Sequence, residues 1–140
     1  MDSAAQKHAA SLTAIFDHIS AVGARAGEGV TRLAASAEDG AARAIFADWM
    51  ARGGARLAQD AVGNQFACFD WAGENAAWIF AGSHLDTQPR GGRFDGTLGV
   101  LAAGSAALDL HTEVQADRFR PRHNLAVVNW TNEEGARYQP

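Results

Sequence analysis

Two short and almost entirely apolar runs, residues 76–81 and 125–130, each lead directly into side chains that can bind metals or move protons. Each run is too short to favour a helix and is bounded by polar or turn-forming residues, so both predict β-strands buried on both faces. The first strand is followed by His84, and the second by Glu133 and Glu134. Functional crevices of open α/β sheets lie at the carboxyl ends of the strands, so we predict that these side chains meet there.

The remaining residues predict helices and further strands around these two runs. Residues 12–22 carry apolar side chains at offsets of three and four, which indicates an amphipathic helix. Ser36, with an aspartate three residues later, resembles a capping box that begins a second helix. The predicted order is helix 12–22, helix 36–53, strands 57–61, 66–71 and 76–81, an interior helix at 96–110, and strand 125–130. This alternation predicts an α/β fold.

The sequence also supports predictions for two connecting segments and for the single cysteine. Residues 27–33 are glycine-rich and non-periodic, which predicts a loop in which Arg32 is solvated rather than bound to a substrate anion. Residues 111–123 predict a polar connection. Cys68 lies within a predicted strand, where a small core residue is a better interpretation than a nucleophile.

Composition restricts the class of protein and its partners. The chain has 140 residues, of which 47% are hydrophobic, so we expect a single globular domain over residues 1–140. Its 12 basic and 16 acidic residues give a net charge of −4 without a basic cluster, so neither nucleic acid nor a membrane is an expected partner. The sequence has no apolar run of signal-peptide or membrane-spanning type, and its single cysteine cannot form an internal disulfide. We therefore expect a cytoplasmic protein.

His84 and Asp86 form a pair typical of metal sites, although one histidine near a strand end is more often a surface or core residue. A ligating imidazole usually donates its second ring N–H to a carboxylate or carbonyl, so Asp86 can orient His84. Asp95 has two interpretations that do not exclude each other. It can be the N-cap of the predicted helix, or, with glycines on both sides, a carboxylate that bridges two cations.

Glu133 and Glu134 have a plain interpretation as two solvated loop acids. Because they directly follow a predicted buried strand, we expect at least one of them to face the crevice. Beside a metal, one of two adjacent carboxylates can be a ligand while the other acts as a general base that takes a proton from metal-bound water. The sequence contains no P-loop, dinucleotide-binding, C-x-x-C or G-x-S-x-G motif, which argues against nucleotide binding, structural zinc and serine-nucleophile chemistry.

Three motifs together carry a family resemblance: G-S-H-L-D-T at residues 82–87, G-G-R-F-D-G at 91–96 and N-W-T-N-E-E-G-A-R-Y at 129–138. The chain resembles the M20 metallopeptidase superfamily, and within it the amidase/hydantoinase/carbamoylase branch. That branch includes N-carbamoyl-L-amino acid hydrolases, allantoate amidohydrolases and β-ureidopropionases. The resemblance begins near residue 29 and implies the N-terminal part of the M20 zinc-hydrolase catalytic domain, a mixed central sheet flanked by helices.

The resemblance also implies roles for individual residues. His84 would ligate one of two divalent metal ions, Asp95 would bridge both, and Glu134 would ligate the other. Glu133 would be the general base, and Asp86 would orient His84. The metals would be zinc, or manganese, cobalt or nickel. The partner would be a small carbamoyl or ureido substrate, hydrolysed to ammonia, carbon dioxide and an amino acid, and the full-length form would be a homodimer.

The chain departs from the family pattern in its length. Family enzymes are much longer, and later histidines complete both metal sites, so each site here would be one ligand short of the three that catalytic zinc normally has. We therefore carry two hypotheses. The first is a piece of a metal-dependent amidohydrolase, without the dimerisation domain and inactive on its own. The alternative is a truncated, inactive fragment that at most binds a metal or a partner, without chelator-sensitive release of ammonia.

Overall fold

The computed structural model describes the backbone of residues 4–139 and the side chains of residues 11–139. Three helices and a four-stranded sheet make up most of this part of the chain, and a short hairpin precedes the sheet. The elements are α1 (Ala4–Ala21), β1 (Ala24–Arg25), β2 (Gly29–Val30), α2 (Ala37–Arg52), β3 (Arg56–Gln59), β4 (Gln65–Phe69), β5 (Trp78–His84), α3 (Thr97–Gln115) and β6 (Asn124–Trp130). This order confirms the predicted α/β class.

The sheet is mixed, as the resemblance implies. Its strand order is β3-β4-β6-β5, in which β3 pairs with β4 and β4 with β6 in antiparallel fashion. β5 and β6 are parallel and are connected through α3. A parallel pair needs such a crossover, and it brings the carboxyl ends of both strands to the same edge of the sheet. At that edge His84 is paired with Trp130.

Helices α2 and α3 pack against one face of the sheet, and α1 packs against these two helices. The main core cluster contains buried side chains from all three helices and from alternate positions of β4 and β6. The intervening positions of the same strands form a smaller cluster on the opposite face. The buried members of the main cluster are Phe16, Ile19, Ala42, Phe46, Met50, Ala67, Phe69, Leu85, Val100, Leu101, Ala107 and Val127.

The second helix begins as the sequence predicts. Ser36 is the N-cap of α2, and its hydroxyl oxygen accepts a hydrogen bond from the backbone N–H of Asp39. The carboxylate of Asp39 accepts in turn from the N–H of Ala35, one residue before the cap. The helix ends before Gly53, where the prediction also ends it. Cys68 is buried in β4, and burial raises the pKa of its thiol, which suits the predicted core role.

Two predictions about burial are wrong. Residues 76–81 were expected to form a strand buried on both faces, but β5 runs over Trp78–His84 and the side chain of Phe80 is 57% exposed. β5 is an edge strand, and no element in the described residues covers the face that carries Phe80. α3 was expected to be an interior helix, but Leu98 and Leu110 are exposed because only one of its faces meets the core.

Two predictions about loops also need correction. Residues 111–115, expected to begin a polar connection, are the last turn of α3. Within the predicted loop 27–33, Gly29 and Val30 form β2, and Arg32 is buried rather than solvated. Its guanidinium donates hydrogen bonds to acceptors in three other segments of the chain, and these bonds compensate the loss of its hydration.

None of the helices in the described part of the chain has the length and hydropathy that a membrane crossing requires.

Candidate metal centre

The candidate centre lies where the carboxyl ends of β5 and β6 meet the start of α3. His84 is the last residue of β5, and Glu133 and Glu134 lie in the turn that follows β6. Asp95 lies two residues before α3 begins. The parallel pairing of β5 and β6 thus brings His84 close to the turn after β6, as the sequence predicts for this edge, and the start of α3 brings Asp95 next to His84.

The imidazole of His84 is held in one orientation. Its side chain is only 6% exposed, and its Nδ1 atom lies 3.0 Å from the backbone carbonyl oxygen of Asp86. A carbonyl oxygen can only accept a hydrogen bond, so Nδ1 carries the proton when the ring is neutral. The lone pair of the neutral ring is therefore on Nε2, the atom that a metal would bind.

Two carboxylates face that nitrogen. Oε2 of Glu133 is 3.3 Å from Nε2 of His84, and Oδ1 of Asp95 is 3.9 Å from it. The side chains of Glu133 and Asp95 are 54% and 70% exposed, so both can be reached from solvent. The arrangement is a buried nitrogen donor with two oxygen donors at its solvent side.

Asp95 does not cap the helix that it precedes. The N-cap of α3 is Gly96, which makes no side-chain capping bond, and the backbone carbonyl of Asp95 accepts from the N–H of Thr97. The N-cap interpretation of Asp95 is therefore wrong. Because its carboxylate is not used at the helix start, it is free to face His84.

Asp86 is buried, and its carboxylate acts differently from the sequence-based expectation. Oδ1 is 3.7 Å from Nδ1 of His84, too far for a hydrogen bond, so the backbone carbonyl of Asp86 holds the ring instead. Oδ2 accepts from the N–H of Glu134 at 3.3 Å, which ties the turn after β6 to the end of β5. Oδ1 is buried without a hydrogen-bond partner, an arrangement that is rare in folded proteins.

Glu134 is directed toward Gln88. Its carboxylate accepts from the backbone N–H of Gln88 at 3.3 Å and from the side-chain amide at 2.9 Å. The same amide donates to the carbonyl oxygen of Glu134. In the described part of the chain, no hydrogen bond or ion pair joins Glu134 to His84 or Asp95. Sequence reasoning missed Gln88; its place two residues after Asp86 was the signal available for it.

The described residues offer the types of ligand atom that a divalent cation binds, but too few of them to hold the ion. Imidazole nitrogen and carboxylate oxygen are ligands that zinc and manganese accept. Across the residues that the structure describes, however, no group of three or more His, Cys, Asp or Glu side chains converges in a way that could hold an ion. A catalytic zinc normally has three protein ligands. The cluster thus contains donor atoms of a kind that a divalent cation accepts, but fewer of them than a catalytic zinc site has.

Comparison with curated proteins finds relatives over most of the chain. An N-carbamoyl-L-amino-acid amidohydrolase from Rhizobium meliloti is 39% identical over 102 residues, which is 73% of this chain and 24% of the relative. A ureidoglycolate hydrolase from Arabidopsis thaliana is 31% identical over 123 residues, which is 88% of this chain and 25% of the relative. The chain thus spans about a quarter of the length of these relatives. No family model matches it.

A solved structure extends this similarity to the fold. A hydantoinase/carbamoylase family amidase from Burkholderia ambifaria superposes with a TM-score of 0.83 and 43% sequence identity. The match covers 94% of this chain and 31% of the amidase. Nearly all of the chain therefore has the fold of one part of such an amidase.

Proposed function

Because the chain belongs to the hydantoinase/carbamoylase family of amidases, we propose that it is part of an enzyme that hydrolyses C–N bonds outside peptides, with N-carbamoyl-L-amino acids as its substrates. The R. meliloti relative is named for that substrate and the A. thaliana relative for ureidoglycolate. Both compounds contain a ureido group, a carbonyl carbon bonded to two nitrogens, and so do the alternatives, allantoate and ureidopropionate. The common chemistry supports a site built for the ureido carbonyl.

The observation that carries the proposal is the convergence of Nε2 of His84 with the carboxylates of Asp95 and Glu133 at one edge of the sheet. We propose that two divalent cations bind there, zinc or else manganese, cobalt or nickel. His84 and Asp95 would hold one, and Asp95 and Glu134 the other, with further ligands from outside the described residues. A bound divalent cation lowers the pKa of water and polarises a carbonyl oxygen.

The chain's own residues supply the remaining chemistry. Oε2 of Glu133 is exposed and next to the imidazole, so it can take a proton from water as the water oxygen attacks the carbamoyl carbon. The same oxygen then returns the proton to the leaving nitrogen, and the C–N bond breaks to release ammonia. The carbamate that remains loses carbon dioxide and leaves the amino acid. For Glu134 to bind a cation, its carboxylate must first leave Gln88.

A second candidate function is favoured by the incomplete ligand set. If no further ligands are supplied, the chain binds a cation or a partner without catalysing hydrolysis. The first candidate predicts metal binding through His84 together with release of ammonia from a carbamoyl substrate, whereas the second predicts no release of ammonia, whether or not a metal binds.

His84→Gln is expected to weaken Zn²⁺ and Mn²⁺ binding by about 100-fold or more, because outer-shell changes alone cost roughly 10–100-fold in metal affinity. Glutamine keeps much of the size of the imidazole but removes the ring nitrogen that faces Asp95. Equilibrium dialysis of the purified chain measures the affinity. His123→Gln, at an exposed position in the loop before β6, is the control for non-specific binding and should retain wild-type affinity. Equal affinity in wild type and His84→Gln would contradict the assignment of His84.

A further inference from the structure

Arg32 is the largest of the fully buried side chains in the described part of the chain, and the proposed mechanism does not use it. It is 1% exposed and lies between β2 and α2. Burial lowers the pKa of its guanidinium, while the negative charges of Asp39 and Asp86 raise it. An apolar side chain could fill the same volume without the cost of burying a charge, so filling space does not explain an arginine here.

The guanidinium connects three segments through its hydrogen bonds. Nε donates to the carbonyl oxygen of Leu85 at 2.6 Å, and one terminal nitrogen donates to the hydroxyl of Thr97 at 3.0 Å. The other terminal nitrogen donates to the carbonyls of Ile19 and Val22 at the end of α1, at 2.9 and 3.0 Å. The planar group thus acts as a rigid spacer between these partners.

The backbone of Arg32 makes two further hydrogen bonds to the segment that contains Leu85 and Asp86. Its N–H donates to the hydroxyl of Thr87, and its carbonyl accepts from the N–H of Thr87, both at 2.9 Å. Leu85 and Thr87 are the residues on either side of Asp86. Arg32 therefore fixes the main chain both before and after the residue whose carbonyl orients the imidazole of His84.

The other partner of the guanidinium lies beside Asp95. Thr97 is fully buried at the first position of α3, two residues after Asp95. One side chain is thus bonded both to the segment that carries His84 and to the helix start that follows Asp95. Their separation sets the distance between the nitrogen and oxygen donors, which is 3.9 Å.

We propose that Arg32 is a positioning residue that sets the geometry between the His84–Asp86 segment and Asp95. The geometry itself is a property of the metal-free chain, and only its consequence for metal binding rests on the proposed function. Lysine at this position would keep the positive charge, but its ammonium cannot reach acceptors in all three segments from a single atom.

The first test is hydrogen–deuterium exchange of the whole chain, read by mass spectrometry. In Arg32→Lys, amides in segments 84–91 and 95–100 are expected to exchange about tenfold faster, as when a hydrogen bond to a charged group is lost. Segment 37–52 in α2 should change by less than about twofold because this opening is local. Thr97→Val removes only the hydroxyl acceptor, keeps the volume, and should accelerate exchange in segment 95–100.

Phe46→Leu is the matched control, because it shortens a fully buried side chain on α2 that shares no hydrogen bond with Arg32. If Arg32 only stabilises the core, Arg32→Lys and Phe46→Leu should accelerate exchange of the same amides across the core. That result would overturn the proposal, as would wild-type exchange in Arg32→Lys or in a folded Thr97→Val variant. Thr97→Val also keeps the test decisive if Arg32→Lys does not fold.

The second test uses Co²⁺ as the probe, because its visible absorption depends on the arrangement of its ligands. Arg32→Lys is expected to bind Co²⁺ about tenfold more weakly and with altered bands, as for changes around metal ligands. Phe46→Leu should keep the wild-type spectrum, and equal changes in both variants would overturn the proposal. If the wild-type chain binds no Co²⁺, the metal role in the proposed function fails, while the exchange pattern still decides the role of Arg32.

Discussion

A single methyl group at position 96 is expected to weaken metal binding by this chain severely. In Gly96→Ala the new Cβ would lie 2.4 Å from the carbonyl oxygen of His84 and 2.5 and 2.6 Å from its ring atoms Cε1 and Nδ1. Gly96 also has a φ of +64°, which side chains disfavour. The carbonyl belongs to the strand pairing of β5, so the imidazole and the helix start must separate. We expect Zn²⁺ affinity to fall by about 100-fold or more.

Gly92→Ala is the control for this prediction. It places the same methyl group in the same loop, four residues earlier, where nothing lies within 4 Å of the added atom. Zn²⁺ affinity of Gly92→Ala should equal that of wild type when both are measured by equilibrium dialysis. Wild-type affinity in Gly96→Ala would mean that the contact between Gly96 and His84 does not shape the site.

Gly82→Ala is expected to have the largest effect on the stability of the fold. Gly82 is paired with Val128 in the parallel ladder, and an added Cβ would lie 2.0 Å from the carbonyl oxygen of Val128. β6 is bonded to β4 on its other side, so it cannot move away without breaking a second ladder. We expect a loss of about 3 kcal/mol or more in the free energy of unfolding, a severe case of overpacking.

Urea denaturation followed by circular dichroism measures this loss, with Gly40→Ala as the control. Gly40 lies within α2, where an added Cβ has no neighbour within 4 Å. Alanine favours a helix interior over glycine by about 1 kcal/mol, so this variant should be at least as stable as wild type. An unchanged urea midpoint in Gly82→Ala would show that β5 and β6 can separate at this position at little cost.

Local sequence patterns predicted the elements that depend on local chemistry. The cap at Ser36 and the strand before Glu133 follow from hydrogen bonding between neighbours and from an apolar run. The exposure of Phe80 could not be predicted in the same way. A run of apolar residues does not reveal whether another layer covers the strand, because the covering residues lie elsewhere in the sequence.

In the candidate site, too, some features could be predicted from the sequence, and others depend on contacts between distant residues. The position of His84 beside Glu133 follows from the rule that the carboxyl ends of parallel strands share an edge. The burial of Arg32 depends on acceptors 10 to 65 residues away, which no window around it contains. The contact between Glu134 and Gln88 spans 46 residues and likewise has no local signal.

The proposed hydrolysis is tested by measuring the release of ammonia from an N-carbamoyl-L-amino acid, using the protein purified from its native source with Mn²⁺ or Zn²⁺ added. We expect release that a chelator abolishes and added metal restores. Glu133→Gln should keep metal affinity but lose about 100- to 10,000-fold in rate, the usual contribution of a general base. A protein that binds metal through His84 but releases no ammonia from carbamoyl amino acids, ureidoglycolate, ureidopropionate or allantoate would rule out the proposed hydrolysis.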